Sequence, residues 1–236
     1  MATKKKKKTF SFWKRILKFL FYLFLLNLIY IVLTRWVDPP LTSVMIHSKI
    51  KGYGWDKKTM RWDDMGYEIK LAAIAGEDQR FLNHYGFDTD AIGKAIKHNK
   101  NPKAKKIYGA STITQQTAKN VFLWNGRSWI RKGLEVYHAV MIELIWGKKR
   151  ILENYLNVAE MGKGIFGVEA AAQFYFNKRA KNLTANEASW IISILPSPKK
   201  LDIKKPNRAL SKRHQWILTQ MNNLRSDKQI VDFLKK

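Results

Sequence analysis

Residues 16–37 constrain this chain more than any other stretch. From Phe19 to Leu33 every side chain is apolar or aromatic except Asn27, and Ile16 and Leu17 extend the run past Lys18. As a helix rising ~1.5 Å per residue, 16–37 reaches about 33 Å, enough to cross a hydrocarbon core of roughly 30 Å with Lys18 and Arg35 reaching outward and Trp13 and Trp36 in the interfaces. A cleaved signal peptide would carry a small-residue cleavage site after the run, and a buried soluble helix would not need Lys4 to Lys8 ahead of it. One transmembrane helix is therefore expected. Residues 1–15 then form a cytoplasmic basic tail, and the positive-inside rule puts the rest of the chain on the far side of the membrane.

The charge is uneven. The formal net charge is +26, which calls for an anionic partner: nucleic acid, anionic lipid or a phosphorylated substrate. Up to residue 37 there are nine basic residues and no acidic one; residues 94–150 hold thirteen against Glu135 and Glu143, and 199–213 hold seven against Asp202. The first group sets topology, and an extracytoplasmic domain argues against nucleic acid. The absence of cysteine removes disulfides, zinc–thiolate sites and thiol nucleophiles.

Beyond the span, Asp38-Pro39-Pro40 stops the helix, and 38–66, with Gly52 to Trp55, reads as a juxtamembrane connector. Helical patterning then dominates. Leu71, Ile74, Ala75 and Phe81 trace an apolar stripe ending near Gly86; Ile130, Leu134, Tyr137, Met141, Leu144 and Ile145 trace a second, closed by Gly147; Ile151, Leu152, Tyr155 and Leu156 trace a third. Thr184-Ala-Asn-Glu187 is a capping box opening a helix that stops at Pro196, and 168–176 and 208–224 are further helices. No sustained period-two alternation is present, so a mainly α domain is expected over 67–225, with 226–236 as a C-terminal tail.

Three segments could carry chemistry. Glu77, Phe81 and His84 fall at i, i+4 and i+7, one helix face. A carboxylate after Ala72-Ala-Ile-Ala75 is an unusual choice for a packing surface, and a structural ion pair and a catalytic acid or base stand at even odds. Gly109-Ala-Ser111-Thr112-Ile-Thr114-Gln115-Gln116 offers hydroxyls and amides dense enough to bind sugar hydroxyls or phosphate oxygens, though Ser and Thr also favour ordinary N-caps. Arg127, Arg131 and Glu135 follow at i+4 steps with Lys119 and Lys132 nearby. An exposed salt-bridged face is the commoner fate of that spacing, and an anion site is the alternative.

Taken in order, the segments resemble a known family. Glu-Asp-x-x-Phe-x-x-His-x-Gly (Glu77 to Gly86), Gly-x-Ser-Thr-Ile-Thr-Gln-Gln (Gly109 to Gln116), Arg-Lys-x-x-Glu (Arg131 to Glu135), Lys-x-x-Ile-Leu-Glu-x-Tyr-Leu-Asn (Lys148 to Asn157) and Lys-Arg-x-x-x-Ile-Leu (Lys212 to Leu218) resemble the five motifs of the lysozyme-like peptidoglycan glycosyltransferases. Ala110 stands where Gly is common, and Lys212 where Arg is common. The size and single anchor resemble the monofunctional members.

The resemblance implies a two-lobed, lysozyme-like helical fold and polymerisation of lipid II onto a growing undecaprenyl-pyrophosphate-linked glycan, with inversion at the donor carbon. It implies Glu77 as general base, ionised at neutral pH without a large shift, and Glu135 as the second catalytic carboxylate. Ser111, Thr112, Gln115 and Gln116 would line the cleft, and Lys119, Arg127, Arg131 and Lys132 would receive the pyrophosphate. A divalent cation, Mg or Mn, at Glu135 is compatible with the pattern and not required by it. His84 would orient the helix end, and Glu153, Tyr155 and Asn157 would be structural. A small apolar lobe within 85–125, with Phe122, Leu123 and Trp124, would dip into the bilayer or form a core aromatic cluster. Other cell-wall synthases are candidate partners. The rivals are a membrane-anchored lytic glycosidase of the lysozyme class and a non-catalytic cell-wall scaffold.

Overall fold

The computed structural model describes residues 3–102, 108–126 and 128–235, with side chains from residue 12 onward. Residues 1–38 and 39–236 form separate compact units. The first is helix α1 (Thr3–Leu33), and its stretch Phe12–Leu33 is, among the described residues, the one helix long and apolar enough to cross a membrane. This apolar helical stretch begins and ends about four residues before the bounds 16–37 expected for a span, and the helix ends at Leu33, where the Thr34 Oγ1 donates back to Tyr30 O at 2.7 Å.

The second unit is helical apart from one pair of two-residue strands. In chain order it contains α2 (Ser43–Ile50), β1 (Asp56–Lys57), α3 (Tyr67–Glu77), α4 (Thr89–Asn99), α5 (Ile113–Phe122), α6 (Trp129–Ile145), α7 (Gly147–Val158), β2 (Ile165–Phe166), α8 (Val168–Phe176), α9 (Ala185–Ser193), α10 (Arg208–Leu224) and α11 (Lys228–Lys235). The strands pair in parallel, Asp56 with Ile165 and Lys57 with Phe166. The stretch 38–66, read as a connector, therefore carries a capped helix and a strand. Asn157 pins it further, accepting from Met60 N and donating to Met60 O at 2.9 Å each.

One helix organises the core. From Ile69 to Ala75, α3 is buried along its whole circumference, against α9 and α10 on one side and α7 and α11 on others. A helix apolar on all faces must be surrounded. The stretch 226–236, expected as a tail, supplies part of that cover: α11 buries Ile230 and Leu234, Phe233 meets Trp62 edge-on, and Lys70 Nζ donates to Leu234 O at 3.1 Å. A second group is built from α5, α6 and α7. The two groups meet where α3 ends.

Two helical expectations need correction. The stripe from Leu71 does not run to Gly86: α3 ends at Glu77, Asp78 is extended (φ −162°), and Phe81–Asn83 is a separate 3-10 turn. Glu77 and His84 thus share no helix face. The apolar stripe on α6 also faces outward. Ile130 and Leu144 are each 76% exposed, whereas Glu135, His138, Ala139 and Ile142 are the buried positions. Phe122 stacks on His138 with ring centroids 4.7 Å apart and so joins an aromatic cluster, Leu123 is buried, and Trp124 stays half exposed.

Gly76 shows how closely the core helices approach. A Cβ there would lie 2.8 Å from Ile192 Cγ2 on α9 and 3.2 Å from Ile217 Cδ1 on α10, both on fully buried residues. Gly76→Ala is expected to lower the unfolding free energy by up to about 2 kcal/mol, an overpacking cost of ~1–3 kcal/mol reduced by the ~1 kcal/mol better helix propensity of alanine. Thermal or denaturant unfolding measures it, and unchanged stability would mean that α9 and α10 yield freely.

Candidate active site

Glu77 closes α3, where a helix end meets two neighbours. Arg213 NH2, from α10, donates to Oε1 at 2.6 Å, and Gln116 Nε2, from α5, donates to Oε2 at 2.8 Å. Tyr155 OH, from fully buried Tyr155 on α7, donates to Gln116 Oε1 at 3.3 Å. Only 11% of the Glu77 side chain is exposed. Burial raises its pKa above the ordinary carboxylate value, more than Arg213 and Gln116 lower it. That differs from the unperturbed carboxylate expected from sequence, and it moves the group toward the pH at which a base is most effective.

The residues beside Glu77 hold it in register. Asp78 accepts from His84 Nε2 at 2.9 Å and from Ile113 N, the first backbone N–H of α5, at 3.0 Å. A carboxylate at a helix N-terminus satisfies an otherwise orphaned donor. Thr112 caps the same helix end in a reciprocal capping box with Gln115 and donates its own hydroxyl to Gly86 O at 2.6 Å. Thr112 and Gln115 are both buried and use their polar groups on this helix start. Gln116, one residue on, thereby points at Glu77. Ser111 is exposed and lines, with Glu77 and Thr112, a cavity of about 280 Å³.

On the other side of Gln116 lies a cavity of about 360 Å³ lined by Gln116, Lys119, Asn120, Tyr155, Glu160 and Lys199 among others. Lys119 is one turn along α5 from Gln116. Burial pushes its ammonium pKa down, Glu135 and Glu77 pull it up, and Arg131 and Lys132 lower it further. Glu135 is buried on α6 and accepts from Arg131 NH1 at 2.7 Å and from Lys132 Nζ. The expected face of Arg131 and Glu135 is therefore a buried ion pair rather than a solvated one. Arg127 lies outside the described residues, as do residues 103–106 of the lysine-rich segment.

No group of three metal-ligating side chains occurs among the described residues. Glu135 is already flanked by two cations, which repel a divalent ion, so its donor set does not fit one. Glu153 and Asn157 hold backbone: Glu153 accepts from Trp62 N at 2.6 Å. Arg213 is the site residue that residue spacing left unassigned. Its sole signal in the sequence is its place in the late Lys-Arg motif.

A buried carboxylate held by a guanidinium and an amide thus stands between a cavity that it lines itself and one lined by Gln116 and Lys119. The family model described as Transglycosylase matches residues 45–222. A Haemophilus influenzae protein is 46% identical over 224 residues, covering 90% of this chain and 87% of its own length. Relatives from Mannheimia succiniciproducens, 45% identical over 242 residues (98% and 95% covered), and Stutzerimonas stutzeri, 44% over 216 (89% and 88%), are similar. All three are called biosynthetic peptidoglycan transglycosylase. The chain belongs to the transglycosylase family.

The raised pKa of Glu77 has a stability consequence of definite sign. A carboxyl whose folded pKa exceeds the unfolded ~4.3 binds its proton more tightly when folded, so its stabilising contribution is present below the unfolded pKa and lost as pH rises through the folded one. The melting-temperature difference, wild type minus Glu77→Gln, is expected to become less positive between about pH 4 and pH 7. A difference that grows with pH would assign Glu77 a depressed pKa instead.

Proposed function

We propose that this chain is a peptidoglycan glycosyltransferase that polymerises lipid II into β-1,4-linked glycan, with Glu77 as general base. The observation that carries the reading is the Glu77 carboxylate clamped between α3, α5 and α10, next to Lys119 and the Arg131–Lys132–Glu135 cluster.

The family's reaction assigns the residues of that layout the following roles. Glu77 takes the proton of the acceptor GlcNAc 4-hydroxyl as its oxygen attacks C1 of the donor MurNAc. The bond from C1 to the pyrophosphate oxygen breaks on the opposite face, so the configuration inverts from α to β and undecaprenyl pyrophosphate leaves. Charge grows on that leaving group in the transition state. Lys119, with Arg131, Lys132 and Arg127, would stabilise it electrostatically, often the largest catalytic contribution. Lys119 is suited to the task because burial disfavours its charged ammonium, and an incoming anion would favour it again. Glu135 holds Arg131 and Lys132 in place. Ser111 and Gln116 would contact substrate, and Thr112 and Gln115 would act by fixing the start of α5.

The apolar surface supports a membrane-borne substrate. Phe12–Leu33 would anchor the chain in the inner membrane with its N-terminus cytoplasmic and the domain periplasmic. On α6, Trp129 is 92% exposed and continues the outward row with Ile130 and Leu144, a contiguous face of the kind that meets lipid. Polyprenyl substrates confined to the same leaflet would meet the site at raised effective concentration.

Incubating the purified protein with lipid II tests the reading: polymer and free undecaprenyl pyrophosphate are expected, and cleavage of finished glycan without lipid II consumption would indicate the lytic alternative. Glu77→Gln is expected to lower turnover by at least ~100-fold, as for loss of a general base, with circular dichroism unchanged. Near-wild-type polymerisation by that variant would remove the assigned role.

A further inference from the structure

Glu77 has to stay ionised in a place that opposes ionisation. The groups around it come from four elements. Asp78, next along the chain, opposes its negative charge, and Tyr155 on α7 has its pKa raised by burial and then by Glu77, while Lys119 on α5 and Arg213 on α10 favour the charge. Of the two cations, Arg213 makes the direct contact, 2.6 Å from Oε1 with 29% of its side chain exposed. The same NH2 also donates to Gly76 O at 3.2 Å. One guanidinium nitrogen is thus shared between the carboxylate and the backbone of the preceding residue, which fixes the carboxylate against its own helix end.

Packing sets the reach. Ile217, one turn beyond Arg213 on α10, sits against the Cα of Gly76, and that close approach brings the guanidinium to the end of α3. Gln116 holds the other oxygen and is itself held by Tyr155. Arg213 Nε is buried without a hydrogen-bond partner among the described residues, so the side chain is seated for its contact with Glu77 at the expense of its own hydrogen bonding.

We propose that Arg213 is the positioning residue of the reaction: it fixes the Glu77 carboxylate in one orientation and holds it in the charged form until it receives the hydroxyl proton. This rests on the reading of Glu77 as base. Arg213 does not need to touch substrate, which separates it from the cations of α5 and α6. An opposite charge at this range favours a carboxylate's ionised form by about 1–3 pKa units.

The test is the pH dependence of lipid II polymerisation by the full-length protein in detergent, for wild type, Arg213→Met, Arg213→Gln, Arg213→Lys and Glu77→Gln. In Arg213→Met, kcat is expected to fall about 10–100-fold, the scale for a misplaced reacting group. KM should stay within about threefold of wild type, and the acid limb of the profile should move up by about 1–3 pH units. Arg213→Lys keeps the charge but loses the fork, so its acid limb should stay near the wild-type position while kcat falls by a smaller factor; Arg213→Gln, which keeps a donor but loses the charge, should show the same upward move of the acid limb as Arg213→Met and carries the test if that variant fails to fold. A KM increase with kcat preserved would make Arg213 a substrate contact, and a fall in kcat with an unmoved acid limb in Arg213→Met would make it merely structural; either result overturns the proposal. An active Glu77→Gln overturns the underlying base assignment instead, whereas an inactive Glu77→Gln beside a wild-type Arg213→Met overturns the role of Arg213 alone.

Discussion

A carboxylate removed from water must find partners or take up a proton, and the arrangement of this domain follows from how Glu77 meets that demand. Its two oxygens are held by residues from α5 and α10, so α3 must end where both helices arrive. Asp78 and Thr112 start α5 at that point, and Gly76 admits Ile192 and Ile217 closely enough for α9 and α10 to complete the enclosure. Burial still outweighs the partners and raises the pKa of the group. The resulting site combines a carboxylate of raised pKa with a fixed orientation, a combination that catalytic positions often show.

The cationic cluster obeys the same electrostatics in the opposite sense. Glu135 is buried with Arg131 and Lys132, and their charges are largely committed to one another, whereas Lys119 stands between two carboxylates and is partly desolvated. An anion arriving beside Lys119 relieves that desolvation. Of the basic residues in 94–150, Lys119, Arg131 and Lys132 thus share one locality, whereas Lys148, Lys149 and Arg150 pair with Glu143, Asp63 and Glu153, and the third basic group contributes Arg213.

Much of this was legible in the sequence because it is local. The capping box at Thr184 and Glu187, the helices at 168–176 and 208–224, and the apolar span all depend on residues within one or two turns of each other. The motif order also placed Glu77, Gln116, Lys119, Arg131, Lys132 and Glu135 on a shared list. What spacing could not supply was long-range. The Glu77–Arg213 pair joins positions 136 residues apart and exists only because α10 crosses α3. Periodicity identified a two-faced α6 but not which face turns inward, since a paired Glu135 and stacked His138 can be buried while Ile130 and Leu144 remain outside. Asp78 follows Glu77 directly and pairs with His84, yet the end of α3 at Glu77 was hidden by an apolar pattern that continues through Phe81.

The central claim is that Glu77 is a buried, guanidinium-paired carboxylate with a raised pKa. It is tested most directly by titrating that one group, following the carboxyl signal of 13C-labelled glutamate by NMR in the folded protein and assigning it by its absence in Glu77→Gln. A titration above the ordinary ~4.3 of glutamate is predicted. A midpoint at or below that value would contradict the account, because the partners would then outweigh burial and the base would not be tuned.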